Sequence, residues 1–321
     1  MTISTLDSLD ILMEDILLTE LKAFLEIIRL PNGLMGGLTT TISILTVSRI
    51  IDLTIGLSLS TISLIWLLAI AYLTYVFQAA AGNVVNDIFD IEVDKINRPN
   101  RPLPRGALTV RQAKIYSVFL SLAGSICAFV TSIPAGIVAT AFSLVGFLYA
   151  SRAKPLGIWG NFTVSFSFAF GLIYGSLITY YAALKTLGLP LLIWLYFLTA
   201  FFILQGREVI KGMEDVEGDR VRGVRTIALV YGFGTASFVA AFFNIMSMVC
   251  FTTAWFLSLF GWSPIPNMWY TIFLLPGDGI VLASTILILM KPSSSSSQNR
   301  ASFYAKTGSL LGLLAFLVGA L

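Results

Sequence analysis

From Ile55 to Val85 the chain carries no charged side chain. A helix needs only about 20 such residues to cross the hydrocarbon layer of a bilayer. Lipid offers the backbone no hydrogen-bond partners, so an apolar run of this length must close its own bonds as a helix. Comparable stretches recur along the chain. The first opens at Arg29-Leu30-Pro31-Asn32 and runs to Val47; the third to fifth span 113–131, 135–150 and 160–183; the sixth to ninth span 189–204, 227–259, 269–290 and 303–321. The expected fold is therefore all-α: a polytopic membrane protein with nine transmembrane helices in one bundle. Charged residues make up 12% of the chain, about half the share of a soluble domain, which argues against additional soluble domains. Residues 1–20 are acidic and lack the basic start of a secretory signal. They are expected to form a cytosolic tail ahead of one membrane domain over 21–321, with an amphipathic segment at Leu21 to Ile28. Lys291-Pro292 and the serines Ser293 to Ser297 predict a flexible loop.

Charge is concentrated where the apolar second span ends. Asn83 to Gly106 reads NVVNDIFDIEVDKINRPNRPLPRG. Asp87, Asp90 and Asp94 sit at i, i+3 and i+7, so one continuous helix would align three carboxylates with the amides of Asn86 and Asn83. Like charges at that spacing repel unless a cation lies between them, and carboxylate and amide oxygens suit Mg²⁺. Three prolines between Pro99 and Pro104 then end the helix and predict an extended turn. Arg98, Arg101 and Arg105 ride on it beside the carboxylates. Carboxylates for a metal and arginines for phosphate point to a diphosphate site at a membrane surface.

The pattern repeats. Asp90-Ile-Glu92-Val-Asp94 is matched by Asp215-Val-Glu217-Gly-Asp219, 125 residues further on. Each follows an apolar stretch and precedes arginines; Gln205-Gly206-Arg207-Glu208 lies just ahead of the second. A single acidic cluster is as readily a solvated helix end. Two matched ones hold nine of the 17 acidic residues and suggest two metal-binding edges facing across a central cavity. With nine spans and both clusters on one side, that side carries 18 of the 20 Lys and Arg residues, leaving Arg49 and Lys185 opposite. The positive-inside rule places it in the cytoplasm. Arg29 then serves as a snorkelling anchor or as a phosphate contact. The chain has no histidine, which excludes imidazole bases, Ser-His triads and His-ligated zinc or haem. Cys127 and Cys250 lie in apolar runs and read as small core residues.

The string AGNVVNDIFDIEVDKINRPNRPLPRG, together with GREVIKGMEDVEGDRVRGVRTIALVYG from Gly206 to Gly232, resembles the UbiA superfamily of intramembrane prenyltransferases. The likeness runs from Arg29 almost to the C-terminus. It implies that two Asp-rich motifs hold Mg²⁺ against the diphosphate of an allylic isoprenoid donor at a cytosolic mouth. Carried over by motif, Asn86, Asp87, Asp90 and Asp94 form one edge and Asp215 and Asp219 the other. Arg29 and Asn32 match the family's first-helix Arg-x-x-Asn. Tyr149 and Lys154 match a Tyr and a Lys ending its fourth helix, which line the diphosphate and the reacting carbon. One position departs: the family's second motif begins with an Asp where this chain has Gly212.

The implied reaction is ionisation of the donor's C–O bond, with metal and cations stabilising the leaving diphosphate and an apolar cavity shielding the carbocation from water. The Tyr149 ring suits the cation. Phe166, Phe168, Phe170 and Tyr174 are candidates to line the isoprenoid tail. The motifs are nearest to family members that transfer a geranylgeranyl group to the hydroxyl of geranylgeranylglyceryl phosphate in the biosynthesis of archaeal membrane ether lipids, which would make this an integral protein of an archaeal membrane. A phosphate-bearing acceptor needs cations beyond those used by the donor. Arg98, Arg101, Arg105, Arg152, Lys154, Arg207, Lys211, Arg220, Arg222 and Arg225 supply them on the expected cytosolic face, although each also serves the positive-inside rule or lipid headgroups. The partners expected are the isoprenyl diphosphate, the lipid phosphate and the bilayer, with no nucleic acid. Two other readings remain open: an aromatic acceptor such as 4-hydroxybenzoate, and a transporter of phosphorylated solutes, to which an internal repeat also belongs.

Overall fold

The computed structural model describes residues 18–148, 150–151, 158–221 and 225–321. They form helices joined by turns and loops, with no strand among them. A short surface helix, α1 (18–27), precedes α2 (Leu30–Ile55), α3 (Thr61–Phe89) and the short α4 (Ile91–Asn97). Then follow α5 (Val110–Thr131), α6 (Ile133–Leu148), α7 (Ile158–Leu184), α8 (Leu191–Glu214), the short α9 (Val216–Val221), α10 (Ile227–Leu259), α11 (Tyr270–Met290) and α12 (Ser295–Ala320).

Eight of these helices, α2, α3, α5, α7, α8, α10, α11 and α12, are long and apolar enough to cross a membrane. The fourth expected span is represented by α6, whose 16 residues cover only about 24 Å at 1.5 Å per residue, short of the roughly 30 Å hydrocarbon layer. α2, α5, α7, α8 and α12 reach further than the apolar runs alone indicated, whereas α10 matches its run and α3 and α11 are slightly shorter than theirs. α8 continues through Gln205–Glu208 to Glu214 because no helix breaker interrupts it. The serine run is a correction. Ser294 caps α12 by accepting from Ser297 N, and Gln298 Nε2 donates to the Pro292 carbonyl at 2.7 Å. A serine before an apolar helix satisfies orphan N–H groups more readily than it makes a linker.

The two central helices are α2, packed on α3, α7 and α12, and α8, packed on α7, α10 and α12. α2 and α7 run parallel. Thr39 Oγ1 donates to the Phe168 carbonyl and, four residues on, Ser43 Oγ donates to the Leu172 carbonyl at 2.5 Å. Small residues permit this. A Cβ on Gly175 would come within 2.7 Å of the Thr40 carbonyl oxygen, and one on Gly171 would overlap Thr39 Oγ1. α7 and α8 run antiparallel, with Phe166 against Phe197 and Phe162 against Phe201. These directions bring the start of α2, the end of α3 and the end of α8 to one end of the bundle. Both acidic clusters therefore lie at that end. Arg49, Asp52 and Lys185, at the ends of α2 and α7, lie at the other.

The main apolar core joins α2, α7, α8, α10, α11 and α12 around Tyr196, Tyr270 and Phe316, all at most 1% exposed. α6 is tied to α3 and α5 by a polar network instead. Gln78 donates to Ser125 Oγ at 3.2 Å and to the Ser121 carbonyl at 3.3 Å, and accepts from Ser143 Oγ. Within lipid, such groups act as interhelical glue. Phe166 and Phe170 stack with Phe142 of α6.

Candidate active site at the acidic end of the bundle

The expected single helix through Asp87, Asp90 and Asp94 does not form. α3 ends at Phe89, Asp90 caps it with φ −94° and ψ 2°, and the short α4 follows. Aspartate is a poor helix former, and three carboxylates on one face repel each other. Asp87 and Asp94 meet a common cation. Arg101 Nη1 lies 3.1 Å from Asp87 Oδ1 and 2.5 Å from Asp94 Oδ2. Both carboxylate residues are buried, at 3% and 5% exposure. Arg29 also pairs with Asp87 Oδ1. Burial pulls the Arg29 pKa down and Asp87 pulls it back up; a guanidinium stays cationic through such shifts.

Arg101 is delivered by the proline-rich segment, which coils rather than extends. Arg101 N bonds to the Arg98 carbonyl, Arg105 N to the Arg101 carbonyl and Gly106 N to the Leu103 carbonyl, at 3.0–3.1 Å. Proline's fixed φ near −65° suits turns as well as extended chain. Leu103 and Leu108 bury themselves against Ala23, Ile27, Ala80 and Ala81 and so anchor the coil to α1 and α3. Arg105, expected to be free for phosphate, instead grips Glu26 of α1 through both nitrogens, at 3.1 and 2.8 Å. Arg98 is exposed.

The amides divide. Asn83 Nδ2 donates to the Ile28 carbonyl at 2.9 Å, toward the α1–α2 corner. Asn86 Oδ1 is buried with no hydrogen-bond partner. Asn32 is exposed on the first turn of α2.

The second cluster repeats the first at the backbone. α8 ends at Glu214, Asp215 caps it with φ −94° and ψ 11°, and α9 follows. Asp219 N bonds to the Asp215 carbonyl at 2.9 Å, as Asp94 N bonds to that of Asp90 at 2.8 Å. Asp215 is exposed and Asp219 buried. Gly212 occupies the place of Asp87, and Lys211 that of Asn86. Arg207 pairs with Glu208 at 3.2 Å, while its Nε is buried without a partner. Tyr149, Arg152, Lys154 and Arg222 lie outside the described residues.

Among the described residues no three Asp, Glu, His or Cys side chains converge as a metal-binding group; Asp87 and Asp94 are bridged by Arg101 instead. The donor types nevertheless fit a hard divalent cation. They are all oxygen, they are buried in part, and the orphaned Asn86 Oδ1 is a buried acceptor awaiting a positive partner. Sequence reasoning missed Glu26, which reaches the site through Arg105, 79 positions away. No local signal marked that pairing. A shallow, open apolar groove lined by Thr41, Ile65, Leu68, Ala69, Tyr72 and Leu73 runs between α2 and α3 and includes none of the acidic residues.

An all-helical membrane bundle with two matched Asp-capped corners at one end, the first of them braced by Arg29 and Arg101, defines a class. The model of the UbiA prenyltransferase family matches residues 53–310; the chain belongs to this family and is a prenyltransferase. Among its relatives, digeranylgeranylglyceryl phosphate synthase of Pyrococcus furiosus is 32% identical over 307 residues, 94% of this chain and 98% of that protein. The synthase of Methanocaldococcus jannaschii is 30% identical over 95% of this chain and 99% of its own. A solved structure of digeranylgeranylglyceryl phosphate synthase in membranes superposes with a TM-score of 0.73 at 27% identity, covering 94% of this chain and 98% of that one. A UbiA homologue from Archaeoglobus fulgidus bound to GPP and Mg²⁺ shares the fold, with a TM-score of 0.63 at 15% identity over 92% and 99% of the two chains.

Proposed function

We propose that this protein transfers a geranylgeranyl group from geranylgeranyl diphosphate to the free hydroxyl of geranylgeranylglyceryl phosphate, forming the second ether bond of an archaeal membrane lipid. The observation that carries this reading is the near-full-length identity of 30–32% to relatives bearing that synthase's name. The arginine-braced carboxylates supply a matching chemistry.

Asn86, Asp87, Asp90 and Asp94 of the first corner, with Asp215 and Asp219 of the second, are the residues that would hold Mg²⁺. When bound, Mg²⁺ offsets the charge that develops on the leaving diphosphate. Arg29, Arg98 and Arg101, with Asn32 beside them, orient the diphosphate oxygens; bidentate guanidinium contacts suit phosphate. Arg152, Arg207 and Lys211 would provide cations for the acceptor's own phosphate, and the family's motif assigns Tyr149 and Lys154 to the reacting carbon. The apolar bundle excludes water while the carbon is electron-poor. No histidine base is required, because a hydroxyl needs little activation against a carbocation.

In this reading α6 is the fourth of nine spans. The bundle over 21–321 encloses one cavity beneath the two corners, and the acidic end faces the cytoplasm. A predominance of basic residues at that end supports the orientation. The test offers purified protein labelled geranylgeranyl diphosphate with Mg²⁺ and either geranylgeranylglyceryl phosphate or 4-hydroxybenzoate. A labelled diether lipid phosphate is the expected product. A prenylated aromatic product alone overturns the acceptor assignment.

A further inference from the structure

Arg29 sits at an unusual backbone. Its φ of 49° and ψ of 54° lie in the left-handed region. Only one other non-glycine residue among those described, Lys185, has positive φ. Such a conformation is disfavoured for a side chain with a Cβ and persists only where neighbours hold it. Here it makes a corner. Arg29 N closes α1 by bonding to the Glu26 carbonyl at 3.2 Å, and the Arg29 carbonyl accepts from Asn32 N at 2.9 Å as α2 begins.

The relaxed alternative is close at hand. Rotating the single peptide plane between Ile28 and Arg29 would return φ of Arg29 to the ordinary negative range, and would reverse the direction of the Ile28 carbonyl. That carbonyl is the group Asn83 Nδ2 holds, at 2.9 Å. Asn83 lies one helical turn before Asp87 on α3, and Asp87 is the carboxylate that takes the Arg29 side chain. Two rungs on one face of α3 thus grip one residue's surroundings: the amide fixes the backbone and the carboxylate receives the guanidinium. Phe24 packed edge-on against Tyr116 at 4.9 Å, and Glu26 paired with Arg105, hold α1 against the same wall.

We propose that Asn83 is a positioning residue. Its N–H clamps the Ile28 carbonyl, keeps Arg29 left-handed, and so aims the Arg29 guanidinium at Asp87 and at the donor diphosphate. The second half of this statement rests on the prenyl-transfer reading; the first does not. It also assigns Asn83 a donor's role, distinct from that of an oxygen ligand to metal.

The experiment uses full-length protein in nanodiscs with Asn83→Asp, a near-isosteric change that removes the donor, and Asn83→Ala. Without ligand, hydrogen exchange at the amides of Arg29 and Asn32 is expected to accelerate about tenfold in both variants, a factor matching the loss of one hydrogen bond, while α8 and α10 stay protected. Unchanged exchange overturns the clamp, whatever the enzyme's substrate. Titration with geranylgeranyl diphosphate in Mg²⁺ is then compared for Asn83→Ala, Arg29→Gln and the double variant. Acting through Arg29, Asn83→Ala weakens binding about tenfold in the wild-type background and adds nothing to Arg29→Gln. Additive losses overturn the positioning role. Apparent Mg²⁺ affinity is expected to match wild type in both Asn83 variants. Mg²⁺ binding that weakens in Asn83→Ala and is kept or tightened in Asn83→Asp overturns the donor assignment in favour of a metal ligand.

Discussion

Replacing Arg101 with glutamine tests the idea that the first acidic corner is held together by a cation. In the structure Arg101 is mostly buried, with 16% of its side chain exposed, and it bridges Asp87 and Asp94, whose side chains are 4% and 8% exposed. Solvent screening therefore discounts the interaction little. Asp87 keeps Arg29 after the change. Asp94 is left without an ion-pair partner among the described residues. Removing one partner of a buried pair costs about 3–5 kcal/mol, and the partial compensation at Asp87 favours the lower figure, about 3 kcal/mol. Glutamine retains one hydrogen-bond donor but no charge, and Arg101→Lys retains charge but not the fork that spans two carboxylates, so lysine is expected to fall between. The assay is denaturant or thermal unfolding of purified protein in chelator and again in Mg²⁺. A ligand at about 100 times its dissociation constant adds about 2.7 kcal/mol to the state that binds it. Arg101→Gln, with vacated carboxylates, is expected to gain nearly that much. Wild type gains less, because the metal must first displace Arg101. Equal stability of the two proteins in chelator, or an equal response to Mg²⁺, would refute the argument.

Further outcomes follow from other contacts. Gly175→Ala drives a methyl to within 2.7 Å of the Thr40 backbone oxygen, which cannot move aside, so unfolding measurements are expected to show a loss of about 1–3 kcal/mol. Gly212→Asp is expected to fold normally, since its Cβ would meet Thr226 at an ordinary 3.6 Å; a carboxylate there should tighten the Mg²⁺ dependence of turnover. Asp87→Asn is expected to lower turnover by well over tenfold in a steady-state assay, with the protein still folded, since leaving-group stabilisation by metal is worth several kcal/mol. A single cysteine at Ser295, in a background lacking Cys127 and Cys250, is expected to react with impermeant reagent only from the cytoplasmic side. Labelling from outside contradicts the proposed orientation.

The bundle was legible because its cause is local: an uncharged run with no water around it has one way to satisfy its backbone. The two acidic corners were legible as a repeat because Asp90 and Asp215 cap helices in the same way. What the sequence could not yield was the interruption of the helix at Asp90. The i, i+3, i+7 spacing assumes a helix that goes on, and repulsion among the carboxylates with a cation 7 positions away in sequence decided otherwise. Glu26 on Arg105 and Asn83 on Ile28 were invisible for a different reason. Each depends on where α1 docks, which is set by burial of Ala23 and Ile27 against α3 and the coil. The serine run before α12 misled because composition suggested a linker, whereas one hydroxyl in the capping position sufficed to start a helix.

The seam between α2 and α7 has a bearing on traffic through the bilayer. At this seam Gly175 lies against the Thr40 backbone, and the α2 hydroxyls of Thr39 and Ser43 bond to α7 carbonyls. Opening that seam means breaking buried hydrogen bonds in a medium that offers no replacement for them. The contact between α6 and α7 is of another kind: Phe142 lies flat on Phe170, rings 4.7 Å apart, and a ring can turn without disturbing any backbone bond. Any opening of the bundle toward lipid is therefore easier at the α6–α7 contact than at the α2–α7 seam.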